Sequence, residues 1–302
     1  MMPIGGSDTD RRPSLHLTLQ LTRIENSGSM KLPDVISSPD SKRIKNAVKL
    51  LKRRDRRLTG QFLVEGPQAV REALDSTGSI VELFITEEAA EAHPEFVSEA
   101  KAARIRWNIA TAEVLTELAT TVNSQGVVAV CKALDVELTS VVNREAQLIV
   151  VLSQVRDPGN AGTIIRLADA AGADAVVLTS SSVDVYNDKT VRATAGSLFH
   201  IPVVTGVGLS EVTELARARG LQVLAADAND VAHDLHHPWD TGLDLTARTA
   251  WVFGNEAWGM SSTDLDLCDA SVAVPIYGAA ESLNLGTAAG VCIYESARNQ
   301  RI

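Results

Sequence analysis

The chain has 302 residues, of which 45% are hydrophobic, 22% charged and only 4% aromatic, with a formal net charge of −10. That length buries a full core in one or two domains. No run of 18 apolar residues suggests a membrane span and no apolar signal core opens the chain, so the expectation is a cytoplasmic protein without a membrane partner. Cys131, Cys268 and Cys292 are odd in number, far apart and free of any C-x-x-C spacing, which excludes a disulfide framework and predicts small reduced thiols.

Residues 1–37 are rich in Gly, Ser, Pro, Asp and Thr and are expected to be a disordered extension, with Met30 an alternative start. A helix is predicted to begin at Ser38, with Pro39 in its first position and Ile44, Val48 and Leu51 forming one apolar stripe. Residues 42–57, KRIKNAVKLLKRRDRR, carry nine Lys or Arg and one Asp, a local charge of +8 inside an acidic chain. Such a run is either a solvated helix face or a phosphate-contacting helix, with Lys52, Arg53 and Arg56 the candidate contacts. Residues 61–131 then alternate strands (QFLVEG, IVELFIT, RIRWNI, GVVAVC) with helices (PQAVREALDS, PEFVSEAKAA, TAEVLTELAT), which makes 38–132 a small α/β domain. Residues 133–146 carry weaker signals and are expected to be a linker.

From residue 147 onward six apolar strands are predicted, at 147–155, 175–179, 202–206, 222–227, 249–254 and 270–276, separated by helices near 160–171, 188–197, 209–219, 261–267 and 284–299. Continuous apolar strands between helices predict a mainly parallel sheet covered on both faces. Ligands of such sheets bind beyond the carboxyl ends of the strands, so the chemistry is sought in the loops after Leu152, Phe253 and Ile276.

The first loop, DPGNAGTIIRLADAAG, has only the spacing Gly159-x-x-Gly162 and no acidic residue ending the next strand, so it lacks a dinucleotide fingerprint; the Gly-Lys-Ser/Thr of a phosphate loop is also missing. Asn160 reads as a helix cap, and Arg166 lies opposite the apolar face, three residues before Asp169. The second loop, FGNEAWGMSS, sets Glu256 after a buried strand, with Gly254 allowing close backbone approach. The third, IYGAAESLNLGTAAG, places Ser282 and Asn284 before a helix of small residues. HDLHH at 233–237 lacks the companions of a zinc site, and no metal is expected.

Taken together and in order, DPGNAGTIIRLADAAG, VFGNEAWGM and VPIYGAAESLNLGTAAGVCIYE resemble the three motifs of the SpoU (TrmH-type) RNA 2′-O-ribose methyltransferases of the SPOUT superfamily. The resemblance covers residues 147–302, and FLVEG and SQGVVAV within 42–131 look like the small substrate-binding domain of the rRNA-directed members. Ala257 stands where glycine is common, and Gly286 where serine or another small residue is common. The fold it implies is a small N-terminal α/β substrate-binding domain plus a C-terminal mainly parallel-sheet SPOUT domain with a trefoil knot, in a homodimer. The cofactor it implies is S-adenosyl-L-methionine, held by Gly254, Val274, Ile276 and Leu283 with Ala225 and Ala226 along the adenine. It implies that Arg166 activates the ribose hydroxyl while Asn160, Glu256, Ser282 and Asn284 position the reactants. Arginine is a poor base, so its role divides between proton acceptor and phosphate clamp. Arg192 is a further expected phosphate contact, its alternative a surface salt bridge. The expected substrate is RNA, 23S ribosomal RNA first and tRNA second; a non-catalytic RNA-binding module is the reading from another class.

Overall fold

The computed structural model describes residues 35–121, 124–238 and 242–301. The expected N-terminal extension falls outside them except for its last residues, where Ile36 bridges in parallel to Ala110.

The basic run does not form one helix. Helix α1 (Lys42–Lys49) and helix α2 (Arg53–Thr59) are separated at Lys52, whose backbone is extended. The expected cap at Ser38 is a turn instead: its hydroxyl accepts from the amide of Asp40 at 3.2 Å, and the helix starts four residues later. The buried stripe accordingly runs through Ile44, Ala47 and Leu50, with Val48 and Leu51 half-buried. It covers one face of a four-stranded sheet.

That sheet is built from β1 (Gln61–Glu65), β2 (Ile80–Ile85), β3 (Arg106–Ile109) and β4 (Val127–Lys132) in the order β1-β4-β2-β3, with β4 antiparallel to both neighbours. Helices α3 (Pro67–Asp75), α4 (Glu87–Ala92), α5 (Pro94–Ala102) and α6 (Ala112–Thr116) connect the strands. Helix α4 was not expected: EEAAEA has no apolar stripe, and it forms because Thr86 caps it by accepting from the amide of Ala89 and acids fill its first turn.

The second sheet has seven strands: β5 (Leu148–Leu152), β6 (Ala175–Thr179), β7 (Val203–Val207), β8 (Gln222–Ala226), β9 (His233–Asp234), β10 (Thr249–Phe253) and β11 (Ala270–Ala273). Their order is β7-β6-β5-β10-β8-β11-β9, and every pairing is parallel. Strands β5, β6 and β10 are buried at every residue, as a sheet covered on both faces requires. The unexpected β9 is a two-residue edge strand inside the HDLHH segment, too short to carry a period.

Helices α8 (Pro158–Ala170), α9 (Asp188–Thr194) and α12 (Leu285–Asn299) lie on one face, over Leu148, Val150, Trp251 and Phe253. Trp251 donates from its indole nitrogen to the Ser296 hydroxyl at 2.8 Å, which satisfies a fully buried N–H. Helix α10 (Leu209–Ala218) covers the other face, joined by α7 (Leu138–Val141); the short α11 (Ser262–Leu265) follows β10. Residues 133–146 are therefore no free tether: Leu138, Val141 and Val142 are buried against the sheet.

Burial pushes the thiols of Cys268 and Cys292 up to about 12, and that of Cys131 upward as well. No helix among the described residues is long and apolar enough to cross a membrane.

The chain runs outward from β5 through β6 to β7, returns to the far side as β8, and then inserts β10 between β5 and β8. This reversal brings the loops that leave β5, β10 and β11 to one edge, where the loop crevice of a parallel sheet lies.

Candidate active site

Helix α8 begins at Asp157, whose carboxylate accepts from the amide of Asn160 at 2.8 Å, with Pro158 in the first turn. Asn160, expected as the cap, therefore stands inside the first turn with its side chain released from capping. Its amide nitrogen donates to Glu256 Oε1 at 3.3 Å, and its amide oxygen accepts from Asn284 at 3.0 Å. Asn284 at the same time caps α12 by accepting from the amide of Thr287 at 3.3 Å. Glu256 accepts two further bonds, from the amides of Arg156 at 3.3 Å and Asp157 at 3.0 Å. Three segments, the first 96 residues from the second and 124 from the third, are thus joined through one asparagine and one carboxylate. The carboxylate acts as a fixed acceptor of N–H groups, an arrangement stronger than neutral pairing.

The turn carrying Glu256 is rigid for a separate reason. Asn255 and Gly259 exchange both backbone hydrogen bonds at 3.0 Å, and the Asn255 side chain donates to the carbonyl of Gln154 at 2.9 Å. Gly254 is required by the packing of this turn. A Cβ there would come within 2.8 Å of the Gly259 backbone and 2.5 Å of Met260 Cγ.

Beside the network lies a cleft of about 330 Å³ at the ends of β8, β10 and β11. Its apolar wall includes Ala226, Val274, Ile276 and Leu283, and Ser282 and Glu256 border it. Of the expected cofactor residues these four therefore share one surface, whereas Ala225 is fully buried within β8 and offers no side chain to the cleft. Two further residues of the site, Asp227 and Asn255, were missed. Each follows the end of a strand, β8 or β10, which is the positional signal that points to them. The charged members are all acidic: Asp227, Glu256 and Glu281.

Arg166 is not on this network within one chain. It lies six residues beyond Asn160, about 9 Å along the axis of α8 and about 120° around it. It is exposed and has no hydrogen bond or ion pair among the described residues; Asp169, its expected neighbour, pairs with His200 at 3.0 Å instead. One turn before Arg166 on the same face, α8 is closed by α9: a Cβ on Gly162 would meet Ala193 Cβ at 2.5 Å and the Thr190 carbonyl at 2.6 Å.

The expected phosphate contacts divide. Lys52 and Arg53 are exposed. Arg56 is not: its side chain is 5% exposed, it bonds Asp184 Oδ2 from two nitrogens at 3.0 and 2.7 Å, and it donates to the carbonyls of Leu50 and Leu51 at 2.9 Å. It is an internal strut, because the break between α1 and α2 leaves those carbonyls in need of donors. Arg192 is likewise committed internally, to Asp188 at 3.1 Å, Glu65 at 3.8 Å and the Thr120 hydroxyl. Its surface salt bridge, the alternative reading of the sequence, is the one present. No group of three His, Cys, Asp or Glu suited to a metal occurs among the described residues.

Comparison with known proteins adds a family to this geometry. The model of the SpoU rRNA Methylase family matches residues 147–294, and that of the MRM3-like substrate binding domain matches residues 41–129. A 23S rRNA (guanosine(2553)-2′-O)-methyltransferase of Bacillus subtilis (strain 168) is 34% identical over 259 residues, 86% of this chain and 97% of that protein. The crystal structure of an AdoMet-bound rRNA methyltransferase from Sinorhizobium meliloti superposes with a TM-score of 0.77 at 28% identity, covering 87% of this chain and 97% of the other. The SpoU methyltransferase AviRb from Streptomyces viridochromogenes, in complex with AdoMet, gives 0.75 at 30% identity, with 86% and 99% covered.

Proposed function

Because the chain belongs to the SpoU family of rRNA methylases, we propose that it is an S-adenosylmethionine-dependent RNA 2′-O-ribose methyltransferase of the cytoplasm acting on 23S ribosomal RNA. The observation that carries this reading is the bonded set Asn160–Glu256–Asn284 at the rim of a cleft fed by three strand ends.

The cleft fits the cofactor by its chemistry. Its apolar wall of Ala226, Val274, Ile276 and Leu283 suits an adenine ring, and its acidic members suit a cationic sulfonium and ammonium rather than a pyrophosphate. When bound, S-adenosylmethionine supplies an electrophilic methyl group. The residues of the chain then have to place a ribose 2′-oxygen in line with that methyl and dispose of its proton. Asn160 and Asn284, each held by two bonds, present a prearranged surface to the ribose, and Ser282 adds a hydroxyl beside it. Arginine keeps its proton and donates in a planar fork, so Arg166 is assigned to the acceptor nucleotide's oxygens and not to taking up the hydroxyl proton.

Arg166 lies a third of a turn away from the network of its own chain, which supports its being supplied across a homodimer. Residues 38–132 form the small substrate-binding domain in this reading and 147–302 the methyltransferase domain. The insertion of β10 between β5 and β8, and the packing of α12 against α8, are compatible with a trefoil knot in the C-terminal segment.

The test is transfer of labelled methyl from S-adenosylmethionine to total RNA, followed by mapping of the modified nucleotide. Arg166→Ala is expected to abolish transfer while cofactor binding, read by calorimetry, survives. Full turnover by that variant removes the role assigned to Arg166, and absence of ribose methylation by the unaltered protein removes the enzyme reading.

A further inference from the structure

Helix α2 stands over a second cleft, of about 310 Å³, at the carboxyl ends of β6 and β7. Arg53, Arg56 and Arg57 form one wall; Thr179, Ser180 and Thr205 belong to the other. We propose that this cleft binds the phosphodiester backbone of the RNA substrate, apart from the methyl-transfer cleft. The proposal rests on the RNA reading above and adds a site to it.

The arginines have different states. The guanidinium of Arg56 is consumed by Asp184 and by the carbonyls of Leu50 and Leu51, and this pins α2 to the segment after β6. Arg53 and Arg57 are one helical turn apart, on the same side of α2. Both are exposed, and neither has an ion pair or hydrogen bond among the described residues. Like charges at that spacing repel each other. Of the two carboxylates of the cleft, Asp184 is taken by Arg56, and Asp135 accepts from the hydroxyls of Tyr186 and Thr205 and ion-pairs with neither arginine, so three guanidinium groups share the cleft with two carboxylates. Ser180 lines the same space and carries a hydroxyl donor. The cleft thus presents two guanidinium forks without a direct partner among the described residues, and a net positive charge, to whatever enters, which is the chemistry of a phosphate site.

A polymer is favoured over a small anion by position. Both clefts open on the carboxyl edge of one sheet. Between the β6–β7 pair and the β8–β11 pair lie about four strand spacings, roughly 20 Å. A strand of RNA lying along that edge places phosphates in the α2 cleft while one of its riboses reaches the Asn160–Glu256–Asn284 rim. Lys52, at the N-cap of α2, and Arg54, within it, are exposed and do not line the cleft, which supplies an internal control of equal charge.

The experiment compares the full-length double variants Arg53→Gln/Arg57→Gln and Lys52→Gln/Arg54→Gln for binding to an unmodified 23S rRNA transcript across a salt series. Loss of two phosphate contacts is expected to weaken binding by at least about tenfold and to flatten the slope of log Kd against log salt by about 1.5. The outer pair is expected to change Kd less than about threefold, since a screened field alone remains there. Melting temperature and S-adenosylmethionine binding are expected to hold for both, because none of the four side chains has a hydrogen bond or ion pair among the described residues. Equal losses for the two pairs, or no loss for the first, overturn the cleft while leaving the enzyme reading intact. Failure of the unaltered protein to bind or methylate the transcript overturns the RNA reading and the cleft with it. Inorganic phosphate or AMP that occupies the cleft without displacing the transcript overturns the polymer assignment.

Discussion

Replacing Arg56 by Met separates a structural arginine from an RNA-binding one. The guanidinium makes four contacts in a site where its own side chain is 5% exposed and that of Asp184 14%. Methionine fills the volume of the stem but leaves the Asp184 carboxylate buried without its cation and the carbonyls of Leu50 and Leu51 without these donors. Breaking a buried pair from one side costs about 3–5 kcal/mol. In a domain of this size that corresponds to a fall in Tm of roughly 6–20 °C. Arg56→Lys is expected to recover little, because a point charge cannot reach all three acceptors in the same geometry. The double variant Arg56→Met/Asp184→Leu removes the orphaned charge and is expected to regain a large part of the loss, the signature of coupled neighbours. Thermal unfolding followed by circular dichroism, with cofactor binding as the control, measures all three. A Tm shift below about 2 °C together with loss of RNA affinity refutes the strut, and the side chain is then a phosphate ligand despite its burial.

Two more outcomes follow from local geometry. His200 bridges Glu72 and Asp169 at 3.0 Å each, and these hydrogen bonds, that of Glu72 first, hold its pKa above the ordinary 6.5. A raised folded value means stability fully present below pH 6.5 and lost as pH rises through the folded value. Urea midpoints of the protein and of His200→Gln are therefore expected to differ most at acidic pH and to converge above neutrality; a gap that widens with pH contradicts the bridge. Gly162→Ala adds a methyl 2.5 Å from Ala193 Cβ and 2.6 Å from a backbone carbonyl. The helix propensity of alanine is better by about 1 kcal/mol, yet overpacking costs about 1–3 kcal/mol. The expected result is a lower urea midpoint, and a raised one shows that α8 and α9 separate freely.

The parallel sheet was legible because β5, β6 and β10 are buried on both faces and leave uninterrupted apolar runs. Features governed by something other than apolar period escaped. Helix α4 is held by a threonine cap and acidic first turn; β9 is two residues of edge pairing; the break between α1 and α2 falls inside a run of uniformly helix-compatible residues. The expected stripe of Ile44, Val48 and Leu51 does pack on the core of the first sheet, with Ala47 and Leu50 buried more deeply beside it.

The site was legible as a set of residues but not as a set of contacts. Spacing made Asn160 a cap, and only the presence of Asp157 with Pro158 at the true start of α8 frees it to join Glu256 and Asn284. For the arginines, local pattern has even less force. Arg53, Arg56 and Arg57 look alike along the chain, yet one faces Asp184 from 128 positions away and two face open space. A cation's role is set by which acid the fold brings to it, and that acid lies far along the sequence. Arg166 follows the same logic in reverse. Its expected partner Asp169 is drawn off by His200, so the charge is left exposed on α8. Among the described residues that guanidinium has no acceptor, and this is the observation on which the proposed two-copy active site builds.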